Sequence, residues 1–299
     1  MSFIINASLC TFARIEMSMQ NILILTDFSK NSWNSLEYAL ALCQNRSCNF
    51  HLLNAVGNHK EEFQSSNYNL QTLAKEKNPN NPKKEFEKLL DTIYASPLKG
   101  NHTFIPIIAE TDIIQAARFH VSKKNINLVV IGTNGVSSEG RKNNISSTSE
   151  DIITKLKCSI LVVPNKASFK GLKEIAFPTD YTNFYEAKLL QNITNLLSYH
   201  ESSISFVYMA KKVMELDKEQ RWNKDTLQDY FKDQPHSFHV EVNENFEASI
   251  ERFIDKREVD LIVMAAKNLN LFEQILFRPK IKNIKYYFKT PFMVLHQFN

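Results

Sequence analysis

Glycine is scarce in this chain: there are six in 299 residues, at 57, 100, 132, 135, 140 and 171, and none after Gly171. Glycine permits positive φ and close approach of a backbone to a ligand, so the second half works without a glycine-rich loop. Cysteine is scarce as well. Cys10, Cys43, Cys48 and Cys158 form no CxxC pair, which argues against a disulfide framework and predicts free thiols in a reducing compartment, with the cytoplasm as the expected location. No Gly-x-Ser-x-Gly and no HExxH occurs, and no lysine follows the glycines as in a P-loop, so no catalytic constellation is expected. No apolar run approaches the roughly 18 residues that span a bilayer, which argues against a membrane partner. The net charge of +4 is spread over interleaved acids and bases, which makes no case for a nucleic-acid groove.

What is present is a globular composition, 43% apolar and 23% charged, on a chain long enough for one large or two ordinary domains. The stretch Leu128 to Pro164 organises the rest. Leu128–Ile131 is a short apolar run stopped by Gly132. A polar loop follows, then a helix opening in Ser146, Ser147, Thr148 and Glu150, then a second apolar run, Ile160–Val163. Short runs of Val, Ile and Leu closed by glycine or proline suit central strands of a parallel sheet covered on both faces. Glycines at a strand's carboxyl end, followed by a Ser/Thr-rich helix start, make a cradle for an anion.

Upstream, Asn21–Leu25 reads as a strand, a helix capped by Ser29 or Asn31 follows, and Phe50–Val56 reads as a second strand. Together they form a βαβ unit with parallel strands. Gly57–Pro82 is polar and aperiodic and reads as a long loop. Lys83–Tyr94 and Asp112–Lys124 read as helices. His102–Ile108 reads as a strand whose Pro106 predicts an edge or strand-end position. After Pro164 the pattern restarts: strands at Leu172–Phe177, Ile204–Met209, Leu261–Met264 and Phe292–Leu295, and a helix at Phe246–Lys256. Pro178-Thr179-Asp180-Tyr181-Thr182 reproduces Thr26-Asp27-Phe28-Ser29. Two copies of one α/β domain are therefore expected, at 20–165 and 171–298, the first longer in the polar stretch after Gly57. Residues 1–19 are expected to be a disordered extension. Met1–Glu16 lacks a signal peptide's basic start and small-residue cleavage site, and Met17 or Met19 would serve as an alternative start.

The strand-loop-helix of Gly132, Gly135, Ser146 and Ser147, with the turn at Thr26-Asp27-Phe28-Ser29, resembles the universal stress protein family, whose loop runs Gly, two residues, Gly, nine residues, Gly and Ser or Thr. The third glycine is missing here. Leu25 also stands where the family's turn has proline; the second copy has Pro178. The resemblance covers nearly the whole chain and implies two tandem flavodoxin-like (adenine nucleotide alpha hydrolase-like) α/β domains, each a five-stranded, mainly parallel sheet with helices on both faces. It further implies ATP or AMP as ligand of the first domain. Asp27 and Thr26 would lie at the adenine or ribose, Ala55 on the apolar wall, and Gly132, Gly135, Ser146, Ser147 and Thr148 at the phosphates. Family members pair through the last strand, so Ile160–Val163 and Phe292–Leu295 are expected to join the halves as an internal pseudo-dimer, with a homodimer as a further form.

Each reading has a plainer rival in the residues themselves. Asp27 can cap the following helix or tie down its turn. The loop can keep its turn and have lost its ligand. Arg141 and Lys142 can supply charge or simply face solvent. In the second copy Ala265 and Asn268 stand for the first two glycines and Arg278-Pro279 for Gly-Ser. Proline donates no N–H, so that half is expected to be structural. His236 and His239 without a third ligand read as surface residues rather than zinc ligands, and Cys43 and Cys48 need no redox role. Three functional classes follow: a cytoplasmic stress-response protein binding an adenine nucleotide in its first half, an interaction or scaffold protein binding none, and, last, an ATP hydrolase or transferase.

Overall fold

Apolar residues in the central strands do not alternate with polar ones; they alternate between two cores. In β1 (Gln20–Leu25), Ile22 and Ile24 pack into one apolar cluster and Leu23 and Leu25 into the other. In β4 (Leu128–Gly132) and β5 (Ser159–Val163), Val130, Leu161 and Val163 join the first cluster, and Val129, Ile131, Ile160 and Val162 the second. Side chains two apart share a face of a strand, so these runs are apolar because both faces of their sheet are covered. The computed structural model describes residues 20–57, 81–133, 146–210, 215–242, 246–268 and 289–296. The expected extension 1–19, most of the polar stretch after Gly57, and the loop carrying Gly135, Arg141 and Lys142 lie outside them, as do Arg278 and Pro279.

The first half adds α1 (Lys30–Leu42), β2 (Cys48–Ala55), α2 (Pro82–Ala95), β3 (Thr103–Ala109), α3 (Ile113–Lys123) and α4 (Ser147–Lys155). The second half runs β6 (Glu174–Thr179), α5 (Ala187–His200), β7 (Ser203–Ala210), α6 (Lys218–Tyr230), β8 (His236–Val242), α7 (Phe246–Arg257), β9 (Leu261–Ala265) and β10 (Phe292–Leu295). Among the described residues the ten strands form one sheet in the order β3-β2-β1-β4-β5-β10-β9-β6-β7-β8. Within each half every pairing is parallel. The seam is different: β10 pairs antiparallel with β5, Phe292 opposite Val162, Met293 opposite Leu161 and Val294 opposite Ile160. The mostly parallel α/β architecture expected from the sequence is the one observed.

Local signals account for most element boundaries. Ser29 caps α1, Asn81 caps α2 with Pro82 in its first turn, and Asp112 caps α3 by accepting from two backbone N–H groups. Asp217 and Gln220 cap α6 reciprocally. Pro106 lies in β3, at one edge of the sheet, where a missing N–H need not break a central ladder. The sixth strand starts at Glu174 rather than at the expected Leu172, because the Asp260 carboxylate takes the N–H groups of both Lys173 and Glu174, at 2.7 and 3.1 Å.

The repeat also extends to backbone conformations that sequence alone does not display. Phe28 (φ 61°) matches Tyr181 (φ 58°), and Asn125 (φ 48°) matches Glu258 (φ 52°). Left-handed non-glycine residues are uncommon, so two matched pairs mark two copies of one design.

Candidate functional site

The carboxyl edge of the first half gathers the ends of β1, β2 and β4 with the start of α4. Thr26 leaves β1 with its N–H on Leu53 O at 2.9 Å, and its carbonyl accepts from Asn54 Nδ2 at 2.8 Å. Its hydroxyl accepts from the Phe28 N–H and meets Ser32 Oγ, both at 3.1 Å. Asp27 is exposed, and its Oδ1 accepts from the Ser29 N–H at 3.1 Å. Asp27 therefore ties down the turn, while Ser29 is the helix cap, accepting from the Ser32 N–H at 3.2 Å. Ala55 ends β2 half-buried beside this turn, opposite Ala109 of β3.

Gly132 ends β4 against the first turn of α1. A Cβ placed on it would lie 2.2 Å from Asn31 Nδ2 and 2.8 Å from Asn31 Oδ1. Glycine is required there because a side-chain amide already occupies the space. The next residues tie α4 to the strand. Thr133 N–H donates to Val163 O at 3.2 Å, and Ser146 N–H donates to Thr133 O at 2.8 Å. Ser146 Oγ caps α4 by accepting from the Ser149 N–H at 3.1 Å, and Ser149 Oγ donates to Gly132 O at 3.0 Å. A helix start leaves its first N–H groups without carbonyl partners. With the Ser149 donor capped and Glu150 N–H on Ser146 O, the donors the helix does not use are those of Ser147 and Thr148. They sit at the positive end of the helix dipole, where an anion is favoured.

The structure thus brings Thr26, Asp27, Ala55, Gly132, Ser146, Ser147 and Thr148 to one edge; Gly135 lies outside the described residues. Asn31 and Asn54 belong to the same edge and are absent from the sequence expectation as site residues. The signal for Asn31 was positional: four residues after Asp27, on the first turn of a helix crossing the strand ends.

The second half rebuilds the turn almost atom for atom. Tyr181 N–H donates to Thr179 Oγ1 and Thr182 N–H to Asp180 Oδ1, each at 3.0 Å, and Thr179 Oγ1 meets Tyr185 Oη at 3.0 Å, as Thr26 meets Ser32. What differs is the space above it. Tyr208 takes the register position of Asn54, and its ring stacks on Tyr181 with centroids 5.3 Å apart and planes 8° apart. Both rings are buried. From α6, Gln220 Nε2 and Asn223 Nδ2 donate to the carbonyls of Asp180 and Tyr181 at 2.9 and 2.8 Å. At the same place the first half has Phe28, packed edge-on against Phe86 of α2 with centroids 4.9 Å apart, and Asn54, whereas the second has two stacked tyrosines.

The remaining candidates are engaged locally. His239 Nε2 lies 2.8 Å from Ser237 Oγ, and His236 Nδ1 lies 2.9 Å from Gln234 O. Among the described residues no group of three or more His, Cys, Asp or Glu side chains could hold a metal ion, and no helix is long and apolar enough to cross a membrane. Cys43, Cys48 and Cys158 are buried free thiols.

Residues 19–164 match the model of the universal stress protein family. Solved structures similar to this chain include a universal stress protein from Archaeoglobus fulgidus DSM 4304, at 12% identity and a TM-score of 0.62, covering 92% of this chain and 98% of that one. A functionally unknown protein from Pseudomonas aeruginosa PAO1 matches at 10% identity and a TM-score of 0.57, over 93% of both chains. At such identities the likeness is one of fold, and it spans both halves. Among curated proteins nothing matches.

Proposed function

We propose, from the match of its first half to the universal stress protein family, that the chain is a cytoplasmic stress-response protein of that family whose first half binds an adenine nucleotide, ATP or AMP, and whose second half is structural. It acts by binding and not by catalysis. The observation that carries this reading is the contrast between two copies of one turn: Asp27 stands exposed beside Ala55 and the α4 start, while Asp180 is half-buried and the neighbouring strand carries Tyr208, stacked on Tyr181, where the first half has Asn54. In this reading the nucleoside lies against Asp27, Thr26 and Ala55. The phosphates lie near Gly132, Gly135 and Ser146, on the N–H groups of Ser147 and Thr148.

The rival reading, an interaction protein that binds no nucleotide in either half, is favoured by Asn31, whose amide already fills the space beside Gly132. Thermal unfolding with and without ATP, AMP and magnesium separates the two. A ligand that binds only the native state stabilises it by about 2.7 kcal/mol at a hundred times its dissociation constant. The informative variant is Asp27→Asn, which keeps an acceptor for the Ser29 N–H and removes the charge. A nucleotide-dependent rise in midpoint that Asp27→Asn weakens is expected. No rise at millimolar nucleotide sinks the nucleotide reading and leaves the interaction protein.

A further inference from the structure

A cavity of about 530 Å³ lies at the opposite, amino edge of the first half's strands. Its walls are the starts of β1, β4 and β5, at Gln20, Leu128 and Ser159, the turns at Arg46 and Asn125–Asn127, and the outer face of α5 from Lys188 to His200. Both halves build it, and interfaces between domains are common places for small-molecule sites of this size.

The repeat supplies an internal control. The equivalent position in the second half, where α1 lies over the starts of β9 and β10, is a smaller cavity of about 220 Å³ bordered by Tyr38, Asp260 and Pro291. The inter-half linker, Lys166 to Gly171, runs through its lining. The linker lines this cleft, and among the described residues no comparable segment lines the other.

The two clefts also differ in charge at a matched residue. Asp260 N–H donates to Glu174 O at 2.9 Å, and its carboxylate accepts the N–H groups at the start of β6. Asn127 holds that place in the first half. Its N–H donates to Asn21 O at 2.8 Å, and its Oδ1 accepts from Asn21 N–H at 3.0 Å. The structural tie is the same, but the larger cleft carries a neutral amide where the smaller one carries a carboxylate. Among the described residues no Asp or Glu lines the larger cleft, while Arg46 and Lys188 do.

Arg46 is also held in place. Its guanidinium carbon lies 3.4 Å from the centroid of the Tyr199 ring, a cation–π contact that fixes the fork without neutralising it. Among the described residues no carboxylate pairs with it, and its buried Nε makes no hydrogen bond. An arginine so positioned, with no described carboxylate partner and several side-chain amides sharing its cavity, suits an oxyanion. We propose that this inter-half cavity is a binding site for a small molecule bearing a phosphate or carboxylate group, which Arg46 takes with Asn127 beside it.

Titration calorimetry with inorganic phosphate, AMP and citrate as probes tests this on the full chain and distinguishes phosphate from carboxylate recognition. Two variants locate the site. Arg46→Met keeps an unbranched apolar side chain near Tyr199 and removes the charge. Asn127→Asp installs the second half's residue, which makes the same tie to the neighbouring strand start, so folding is retained. Binding of at least one probe is expected, weakened tenfold or more by each variant and unchanged by Asp27→Asn. No heat from any probe, or heat that both variants leave unchanged, overturns the proposal. Heat lost only in Asp27→Asn belongs to the carboxyl edge and also counts against it.

Discussion

Replacing Gly132 by alanine introduces one methyl group into space that Asn31 holds. The new Cβ would sit 2.2 Å from Asn31 Nδ2 and 2.7 Å from its Cγ, so the amide has to move by about an ångström, towards the separations of ordinary packed carbon atoms. Asn31 lies on the first turn of α1, and a side chain this short moves that far only by leaving its rotamer, at roughly 0.5–1.5 kcal/mol. Moving it also disturbs the interactions that Asn31 makes, at about 0.5–1.5 kcal/mol for a hydrogen bond. Alanine returns roughly 0.4–1 kcal/mol by restricting the unfolded chain. Gly132→Ala is therefore expected to destabilise by about 1–2 kcal/mol in urea unfolding followed by the fluorescence of Trp33, which packs beside this turn in α1. In an Asn31→Ala background the obstacle is gone, and the same change is expected to be neutral or slightly stabilising. This coupling is the quantity a double-mutant cycle isolates. Equal cost in both backgrounds, or no cost in the natural one, would refute the close approach. Asn31→Ala also opens the space beside Gly132, so the nucleotide reading expects the ATP-dependent rise in midpoint to grow in that variant.

Three other perturbations have outcomes set by their surroundings. Gly57→Ala places a Cβ 2.4 Å from the carbonyl carbon of Thr111; main chain cannot step aside as an amide can, so a cost of about 2–3 kcal/mol that Thr111→Ala leaves intact is expected by urea titration. Burial, aided by the Arg46 guanidinium, pushes the His200 imidazole down to about 4. The unfolded ring, near 6.5, binds its proton first, so the contribution of neutral His200 is complete above about pH 6.5 and is lost as pH falls towards 4. For a half-exposed ring, solvent screening reduces that contribution to about 1–2 kcal/mol, and His200→Gln should flatten the pH dependence of stability over that window; an unchanged slope refutes the assignment. Met293→Asp sets a charge opposite buried Leu161 at the seam, and an expected loss of at least about 3 kcal/mol follows from burying an unpaired carboxylate. A chemical-denaturation midpoint equal to the parent's would mean that the seam opens in solution.

Much was legible in local sequence because the physics behind it is local. The apolar runs at Leu128–Ile131 and Ile160–Val163 announce strands covered on both faces. Ser29, Asp112 and Ser146 announce helix starts, because a short oxygen-bearing side chain meets the free N–H groups of its own first turn. The repeat of Thr26-Asp27 in Thr179-Asp180 announces two copies of one turn. None of these needs a partner distant in the chain.

The tertiary structure alone decided what each copy of the turn has become. Thr26 and Thr179 each accept from the N–H two residues on, yet whether Asn54 or Tyr208 stands beside them depends on a strand a whole helix away. Gly132 reads as a place for a ligand until Asn31, about a hundred residues earlier, is found beside it. The amino-edge cavity has no motif at all: Arg46, Asn127 and Tyr199 come to line one cavity because β5 and β10 pair antiparallel and bring the two halves together. Sequence determines those elements whose hydrogen bonds and burial close within a few residues, and the fold decides which surfaces those elements leave open to each other.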